Sequence, residues 1–98
     1  MFDVWYGKVT DEERKELEPI KNDDNEKKER FAIPLAFGTA GMRGIVRLGT
    51  FGMNVYTVAR ATAGLSEFIL SLGSAAAERG VVISYDTRRF SLEFAKKV

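Results

Sequence analysis

Residues 54–72 read NVYTVARATAGLSEFILSL and carry the strongest helical pattern in the chain. Side chains that suit a buried face recur there every three or four residues, which is the period of an amphipathic helix. They are Val55, Val58, Ala59, Thr62, Leu65, Phe68, Ile69 and Leu72. Asn54 suits the N-cap position and Gly73 the C-terminal end. The pattern predicts one long amphipathic helix.

The chain after this helix has the composition of a strand, a loop and a second helix. SAAAERG (residues 74–80) reads as a linker or as a helical continuation that ends at Gly80. VVISY (residues 81–85) is a run of β-branched and aromatic residues, which is typical of a strand buried on both faces. DTRRFS (residues 86–91) then predicts a βα loop, with Ser91 as the N-cap of a short final helix.

The chain before the long helix contains two short apolar segments on either side of a glycine turn. LAFGT (residues 35–39) and GIVRL (residues 44–48) predict a strand, the turn and then extended chain. The resulting β-α-β-α order is typical of an α/β fold with a partial mixed or mostly parallel sheet and flanking helices. Two or three strands with two helices cannot cover both faces of such a sheet, so the sequence reads as cut in mid-fold.

Residues 1–33 predict a short helical N-terminal extension. Thr10 and Glu13 match a capping box at the start of a charged helix, which Pro19 is expected to stop. Asn22 or Asp23 is expected to open a second polar helix. The side chains expected to pack onto other parts of the protein are Trp5, Tyr6, Leu17, Ile20 and Phe31.

Charge and composition exclude several classes of function. The chain has 98 residues and a net charge of +1. Residues 1–30 carry seven basic and ten acidic side chains, whereas residues 31–98 carry eight basic and four acidic ones. This mildly basic second part suits an anionic ligand, but it is too weak to predict binding to nucleic acid. Without cysteine or histidine, the chain has no disulfide, no thiol nucleophile and no histidine base.

The sequence also predicts a cytoplasmic location away from the membrane. No run of 18 or more apolar residues is present, so we expect no membrane span. The acidic N-terminus lacks the basic segment and apolar stretch of a signal peptide.

Residues 37–44, FGTAGMRG, leave two interpretations open. They match neither the Walker A pattern nor the dinucleotide fingerprint. One interpretation is a tight turn with Arg43 exposed to solvent. The other is an anion site, because glycines let main-chain N–H groups approach phosphate oxygens, while Thr39 offers a hydroxyl and Arg43 a planar guanidinium.

FGTAGMRG resembles the N-terminal signature of the α-D-phosphohexomutase superfamily, the phosphoglucomutases and phosphomannomutases, which reads approximately F-G-T-[SA]-G-x-R-G. Two further motifs follow in the family's order. Residues 53–69 resemble the family's first domain helix, and VVISYDTRRFSLEFA (residues 81–95) resembles its strand-loop-helix, with Ser84 where the family usually has glycine. The resemblance implies two regions, the extension at residues 1–33 and the N-terminal part of domain I at residues 34–98.

The resemblance implies an isomerase that moves phosphate between C1 and C6 of a sugar, or between C1 and C5 of a pentose. A phosphoserine and Mg²⁺ carry the reaction through a bisphosphate intermediate such as glucose 1,6-bisphosphate. The family's serine motif contains histidine and its metal motif is D-G-D-x-D-R, and this chain contains neither. We therefore expect an inactive fragment with no metal ligand. Its expected partners are the remaining domains, a sugar phosphate and, for the fragment, another copy of itself.

The resemblance also assigns the candidate site residues. Arg43 would stabilise the transferring phosphoryl group, with Thr39 as a second catalytic candidate. The residues that would shape or contact the phosphoserine loop are Gly38, Gly41, Gly44, Asp86 and Arg88. Asp86 and Arg88 could also simply pair with each other. Glucose, mannose, glucosamine and pentose phosphates all stay open as substrates. The alternative functions are a sugar-phosphate binding module and a self-association module, both without catalysis.

Overall fold

The computed structural model of the chain describes residues 1–39 and 41–98. The described chain forms two compact units, the N-terminal unit Met1–Asn54 and the C-terminal unit Val55–Val98. The helices are α1 Phe2–Lys8, α2 Asp11–Leu17, a 3₁₀ turn at Glu18–Ile20, α3 Asp24–Phe31, α4 Val55–Ser71, α5 Ser74–Arg79 and α6 Ser91–Lys97. None of the helices described is both long and apolar enough to cross a membrane.

The predicted partial sheet is wrong. The described residues form no β-strand, and only isolated bridges join Gly38 to Gly41 and Val46 to Met53. Residues 81–85, predicted to be a buried strand, are exposed, and the side chain of Val82 is 96% exposed. β-branched side chains favour a strand only where a neighbouring strand pairs with its backbone. The described part of the chain provides no such neighbour for residues 81–85.

The two charged helices of the extension are confirmed. The Thr10 hydroxyl accepts a hydrogen bond from the Glu13 N–H at 3.2 Å, and the Thr10 N–H donates to the Glu13 carboxylate at 3.1 Å. The α-helix ends before Pro19, which lies in the 3₁₀ turn. Asp23 caps α3 by accepting a hydrogen bond from the Glu26 N–H at 3.1 Å.

The core of the N-terminal unit is built mainly from its helices. The buried apolar side chains are Phe2, Val9, Leu17, Ile20, Phe31 and Leu48. The ring of Phe31 packs edge-on against Phe2 and Trp5, with centroids 5.9 and 5.6 Å apart. Three of the predicted packing residues are thus buried, whereas α1 and the burial of Phe2 were not predicted.

The long helix of the C-terminal unit is confirmed as α4, and α5 and α6 both pack against it. Gly73 follows α4 with a φ of 103°, and Gly80 ends α5 with a φ of 70°. Positive φ values of this kind favour glycine, so both positions suit the residue at a helix end. Phe68 and Tyr85, expected in or near a core, are instead 60% and 62% exposed.

Candidate functional site

The glycine turn is closed by two main-chain hydrogen bonds between Gly38 and Gly41. The Gly38 N–H donates to the Gly41 carbonyl at 2.7 Å, and the Gly41 N–H donates to the Gly38 carbonyl at 3.2 Å. Gly41 has a φ of 118°, a conformation that L side chains rarely adopt. Thr39 lies within the bend and is exposed. The N–H groups of Gly38 and Gly41 are therefore used by the turn itself.

The chain on either side of the turn is hydrogen-bonded to residues 47–54, here called the support loop. The Leu35 N–H donates to the Thr50 carbonyl at 2.7 Å, and the Met53 N–H donates to the Ile45 carbonyl at 2.8 Å. A Cβ atom on Gly44 would lie 3.1 Å from the Leu35 side chain, so this position is closely packed. Both ends of the segment that contains the turn are thus attached to one loop.

The support loop is ordered internally by Asn54. Its side-chain nitrogen lies 2.9 Å from the carbonyl oxygen of Arg47, 3.0 Å from that of Gly49 and 3.4 Å from that of Gly52. Asn54 is itself buried. A buried amide that donates to several carbonyls fixes the path of the loop around it, because those carbonyls would otherwise lose hydrogen bonds.

Arg43 differs from the other arginines of the N-terminal unit. The other three form the ion pairs Arg14–Asp11 at 2.6 Å, Arg30–Glu16 at 3.0 Å and Arg47–Glu26 at 3.7 Å. Arg43 is exposed and forms no ion pair with any carboxylate in residues 1–39 and 41–98. Its guanidinium is therefore available to an anion from outside this unit.

Asp86 and Arg88, in the C-terminal unit, pair with each other. The Arg88 N–H and Nε donate to the two carboxylate oxygens of Asp86 at 2.9 and 2.7 Å. The main-chain hydrogen bond from Arg88, followed by the one from its side chain, lowers the pKa of Asp86 below its ordinary value. The Arg88 guanidinium is otherwise largely exposed.

The prediction that Ser91 is the N-cap of the last helix is wrong. The N-cap of α6 is Phe90, with a φ of 67° and no capping hydrogen bond from its side chain. The Ser91 hydroxyl instead accepts a hydrogen bond from the Asp86 N–H at 3.0 Å. Ser91 therefore closes the loop that carries the Asp86–Arg88 pair.

The described residues of this chain do not fit a magnesium site. No group of three or more Asp, Glu, His or Cys residues in that part of the chain converges in a way that could hold a metal ion. The Mg²⁺ implied by the resemblance therefore has no candidate ligand set among them.

Comparison with known proteins defines the class of protein. Residues 34–98 match the family model described as phosphoglucomutase/phosphomannomutase, alpha/beta/alpha domain I. The match starts at the turn-bearing segment and covers the rest of the chain. The chain belongs to the phosphoglucomutase/phosphomannomutase family, and its residues 34–98 match domain I of that family.

Individual relatives extend this result. The chain is 42% identical over 71 residues to a phosphoglucomutase of Staphylococcus epidermidis, an alignment that covers 72% of this chain and 12% of the relative. It is 35% identical over 99 residues to a probable phosphoribomutase of Schizosaccharomyces pombe, covering 98% of this chain and 17% of the relative. The chain thus spans less than a fifth of the length of either protein. No solved structure matches it.

Proposed function

We propose that this chain is the N-terminal part of a phosphohexomutase that interconverts sugar 1-phosphates and 6-phosphates, with Arg43 in contact with the phosphoryl group. Family membership and the names of the relatives support this class of reaction. The observation that carries the role of Arg43 is its exposed guanidinium, which lies next to the glycine turn and has no carboxylate partner among the described residues.

The proposed chemistry assigns binding and charge stabilisation to this chain. A sugar hydroxyl attacks the phosphorus of a phosphoserine supplied by another part of the enzyme, and the serine oxygen leaves. The bisphosphate then reorients and returns its other phosphoryl group to the serine. Negative charge spreads over the phosphoryl oxygens during each transfer. Arg43 neutralises that charge through its planar pair of N–H donors, and the Thr39 hydroxyl adds a further donor.

Asp86 and Arg88 have a scaffolding role in this proposal. Their mutual hydrogen bonds keep the loop at residues 86–91 in one conformation, so that Arg88 can contact the phosphoserine loop. The three glycines of the turn shape the main chain around Thr39 and do not themselves react. Mg²⁺, glucose 1,6-bisphosphate as intermediate and the cytoplasmic location belong to the same proposal, with any metal ligands outside the described residues.

The test uses the reading frame that contains these residues. If it continues past Val98 into a Ser-His-Asn motif, the longer protein should convert glucose 1-phosphate to glucose 6-phosphate in a coupled assay. Arg43→Ala should lower kcat roughly 100- to 1,000-fold, as expected for loss of one charge-stabilising donor. Arg60→Ala, at an exposed arginine of α4, is the control and should keep wild-type activity. An Arg43→Ala enzyme with normal kcat/KM would refute the role of Arg43.

The 98-residue chain alone should show no mutase activity, because the reacting serine is absent from it. A preparation free of contaminating enzyme that converted glucose 1-phosphate would contradict this expectation.

Self-association without catalysis is the second candidate function. It is favoured by the apolar side chains that the C-terminal unit leaves exposed, which include Phe68, Leu70, Leu72 and Val82. A reading frame that ends at Val98, together with dimers or larger species in light scattering, would support it. A monomeric 98-residue chain that binds inorganic phosphate would instead support a sugar-phosphate binding module.

A further inference from the structure

We infer that Glu16 and Arg30 are positioning residues for the phosphoryl site. They lie in the helical extension, outside residues 34–98 that match the family. The helices of the extension and the glycine turn belong to the same compact unit, Met1–Asn54. The two residues hold the support loop and, through it, both ends of the segment that carries Thr39 and Arg43. The catalytic consequence rests on the proposed function, whereas the structural link does not.

Glu16 makes the first connection. Its Oε2 accepts a hydrogen bond from the Leu48 N–H at 2.6 Å and another from the Arg30 guanidinium at 3.0 Å. The side chain of Arg30 is only 12% exposed and Leu48 is buried, while the side chain of Glu16 is 44% exposed. A carboxylate that accepts from a main-chain N–H 32 residues away is a charge-assisted tertiary contact, which is stronger than a contact between neutral groups.

The main chain of Arg30 makes the second connection. Arg30 is the second-last residue of α3, where helix carbonyls have no partner within the helix. Its carbonyl accepts a hydrogen bond from the Phe51 N–H at 2.9 Å. The Thr50 hydroxyl lies 3.4 Å from the same carbonyl and 3.0 Å from that of Ile33, which is the closer acceptor for its one proton. Gly49 packs so closely there that a Cβ atom on it would lie 2.5 Å from the Arg30 carbonyl oxygen. The support loop therefore caps the C-terminal end of α3.

The third connection runs from the support loop to the turn. Thr50 and Met53 are the loop residues whose main chains bond to Leu35 and Ile45, on either side of the turn. Arg43 precedes Ile45 by two residues. Hydrogen bonds and the covalent chain of the support loop thus link α2 and α3 to Leu35 and Ile45, the residues on either side of the segment that contains Arg43.

Position matters for the proposed chemistry because phosphoryl transfer depends on alignment. A misplacement of about 1 Å can cost roughly 100-fold in rate. A group that acts mainly on the transition state changes kcat more than KM when it is displaced. Loosening the support loop should therefore lower kcat and leave KM nearly unchanged.

Amide hydrogen exchange in the 98-residue chain tests the structural link. Glu16→Ala should speed exchange at the Leu35 and Met53 amides roughly tenfold, by loss of a hydrogen bond to a charged acceptor. Glu12→Ala, at an exposed glutamate of the same helix, is the matched control and should change exchange less than about twofold. Equal exchange in the two variants would overturn the inference. If circular dichroism shows that Glu16→Ala loses helix, Glu16→Gln gives the same comparison with a smaller change.

Kinetics of the longer protein test the catalytic consequence. Glu16→Ala should lower kcat about tenfold with KM changed less than about twofold, while Glu12→Ala should match the wild type. Faster exchange at Leu35 combined with normal kcat would overturn the positioning role. A wild-type protein without mutase activity would refute the proposed function, and the exchange result would still decide whether Glu16 holds the turn.

Discussion

The two units of the chain bury their apolar side chains to different extents, although both leave some exposed, such as Phe37 in the N-terminal unit and Phe68 in the C-terminal unit. The N-terminal unit carries most of the acidic residues, yet it buries six large apolar side chains around its short helices. The C-terminal unit is richer in apolar residues, yet it leaves Phe68, Leu70, Leu72 and Val82 exposed. Whether an apolar side chain is buried therefore depends on which elements of its unit pack beside it, and not on how many apolar residues the unit contains. Helices α1, α2 and α3 each bury an apolar side chain in one core, whereas the described part of the chain places no strand beside the apolar segment at residues 81–85.

Truncating Leu17 should give the largest effect and tests the core of the N-terminal unit. Leu17 is fully buried, so Leu17→Ala should lower the free energy of unfolding of this unit by roughly 2–5 kcal/mol through lost contacts and a cavity. Urea denaturation followed by tryptophan fluorescence measures this change, since Trp5 lies in the same unit.

Leu70→Ala is the matched control for Leu17→Ala in the C-terminal unit. Leu70 is 67% exposed, so the substitution should change stability by less than about 0.5 kcal/mol. Equal effects of the two leucine substitutions would contradict the contrast between the units.

Adding a methyl group to Gly49 should give the next largest effect. Gly49 has a φ of 124°, and a Cβ atom there would lie 2.5 Å from the Arg30 carbonyl oxygen. Gly49→Ala should destabilise the N-terminal unit by about 2–4 kcal/mol, through backbone strain and the displaced contact with α3. Thermal denaturation measures the loss, and a variant with unchanged stability would show that the support loop is not packed against α3.

Gly64 lies within α4 and should respond in the opposite direction. A Cβ atom at Gly64 would meet no atom within 4 Å, and the residue is helical. Gly64→Ala should therefore stabilise the helix by about 1 kcal/mol, because alanine loses less backbone entropy. Increased helix content by circular dichroism is the expected result, whereas a destabilised variant would mean that this face of α4 is covered.

Local signals in the sequence predicted α2, α3 and α4, although they did not predict α1 or the N-cap of α6. The capping box at Thr10, the helix start predicted at Asn22 or Asp23 and the three- and four-residue period of α4 each depend on residues a few positions apart. The capping box and the helix α4 are confirmed, and Asp23 is the residue that caps α3. The strand predicted at residues 81–85 depended on a partner that no local pattern contains. This non-local requirement explains why the helical part of the prediction succeeded and the sheet failed.

The candidate site shows the same division between local and distant information. FGTAGMRG is visible as a motif, so Thr39 and Arg43 could be proposed from the sequence. Glu16 and Arg30 could not, because an acidic or basic residue on a charged helix resembles any solvated side chain. The hydrogen bond from Leu48 that distinguishes Glu16 spans 32 residues and appears only in the folded chain.

The smallest expected effects are on the pH dependence of folding stability, and they differ in direction between the two units. The Tyr6 hydroxyl donates a hydrogen bond to the Glu18 carboxylate, and this contact raises the pKa of Tyr6 above its ordinary value of 10.0. Because the protonated phenol is favoured in the folded state, its stabilisation is present at neutral pH. This stabilisation is complete below pH 10, the ordinary pKa of tyrosine, and is lost as the pH rises through the raised pKa of Tyr6.

Asp86 shows the opposite dependence in the C-terminal unit. The pKa of Asp86 lies below the ordinary value of 3.8 because its carboxylate accepts hydrogen bonds from Arg88. The ionised carboxylate is therefore favoured in the folded state, and its contribution to folding stability is present above pH 3.8. This contribution is lost as the pH falls through the lowered pKa. NMR titrations of the Tyr6 ring and of the Asp86 carboxyl group measure the two pKa values. Glu18→Gln should lower the pKa of Tyr6 and leave that of Asp86 unchanged. A change at Asp86 in that variant would show that the two units titrate together, and the contrast drawn between them would then fail.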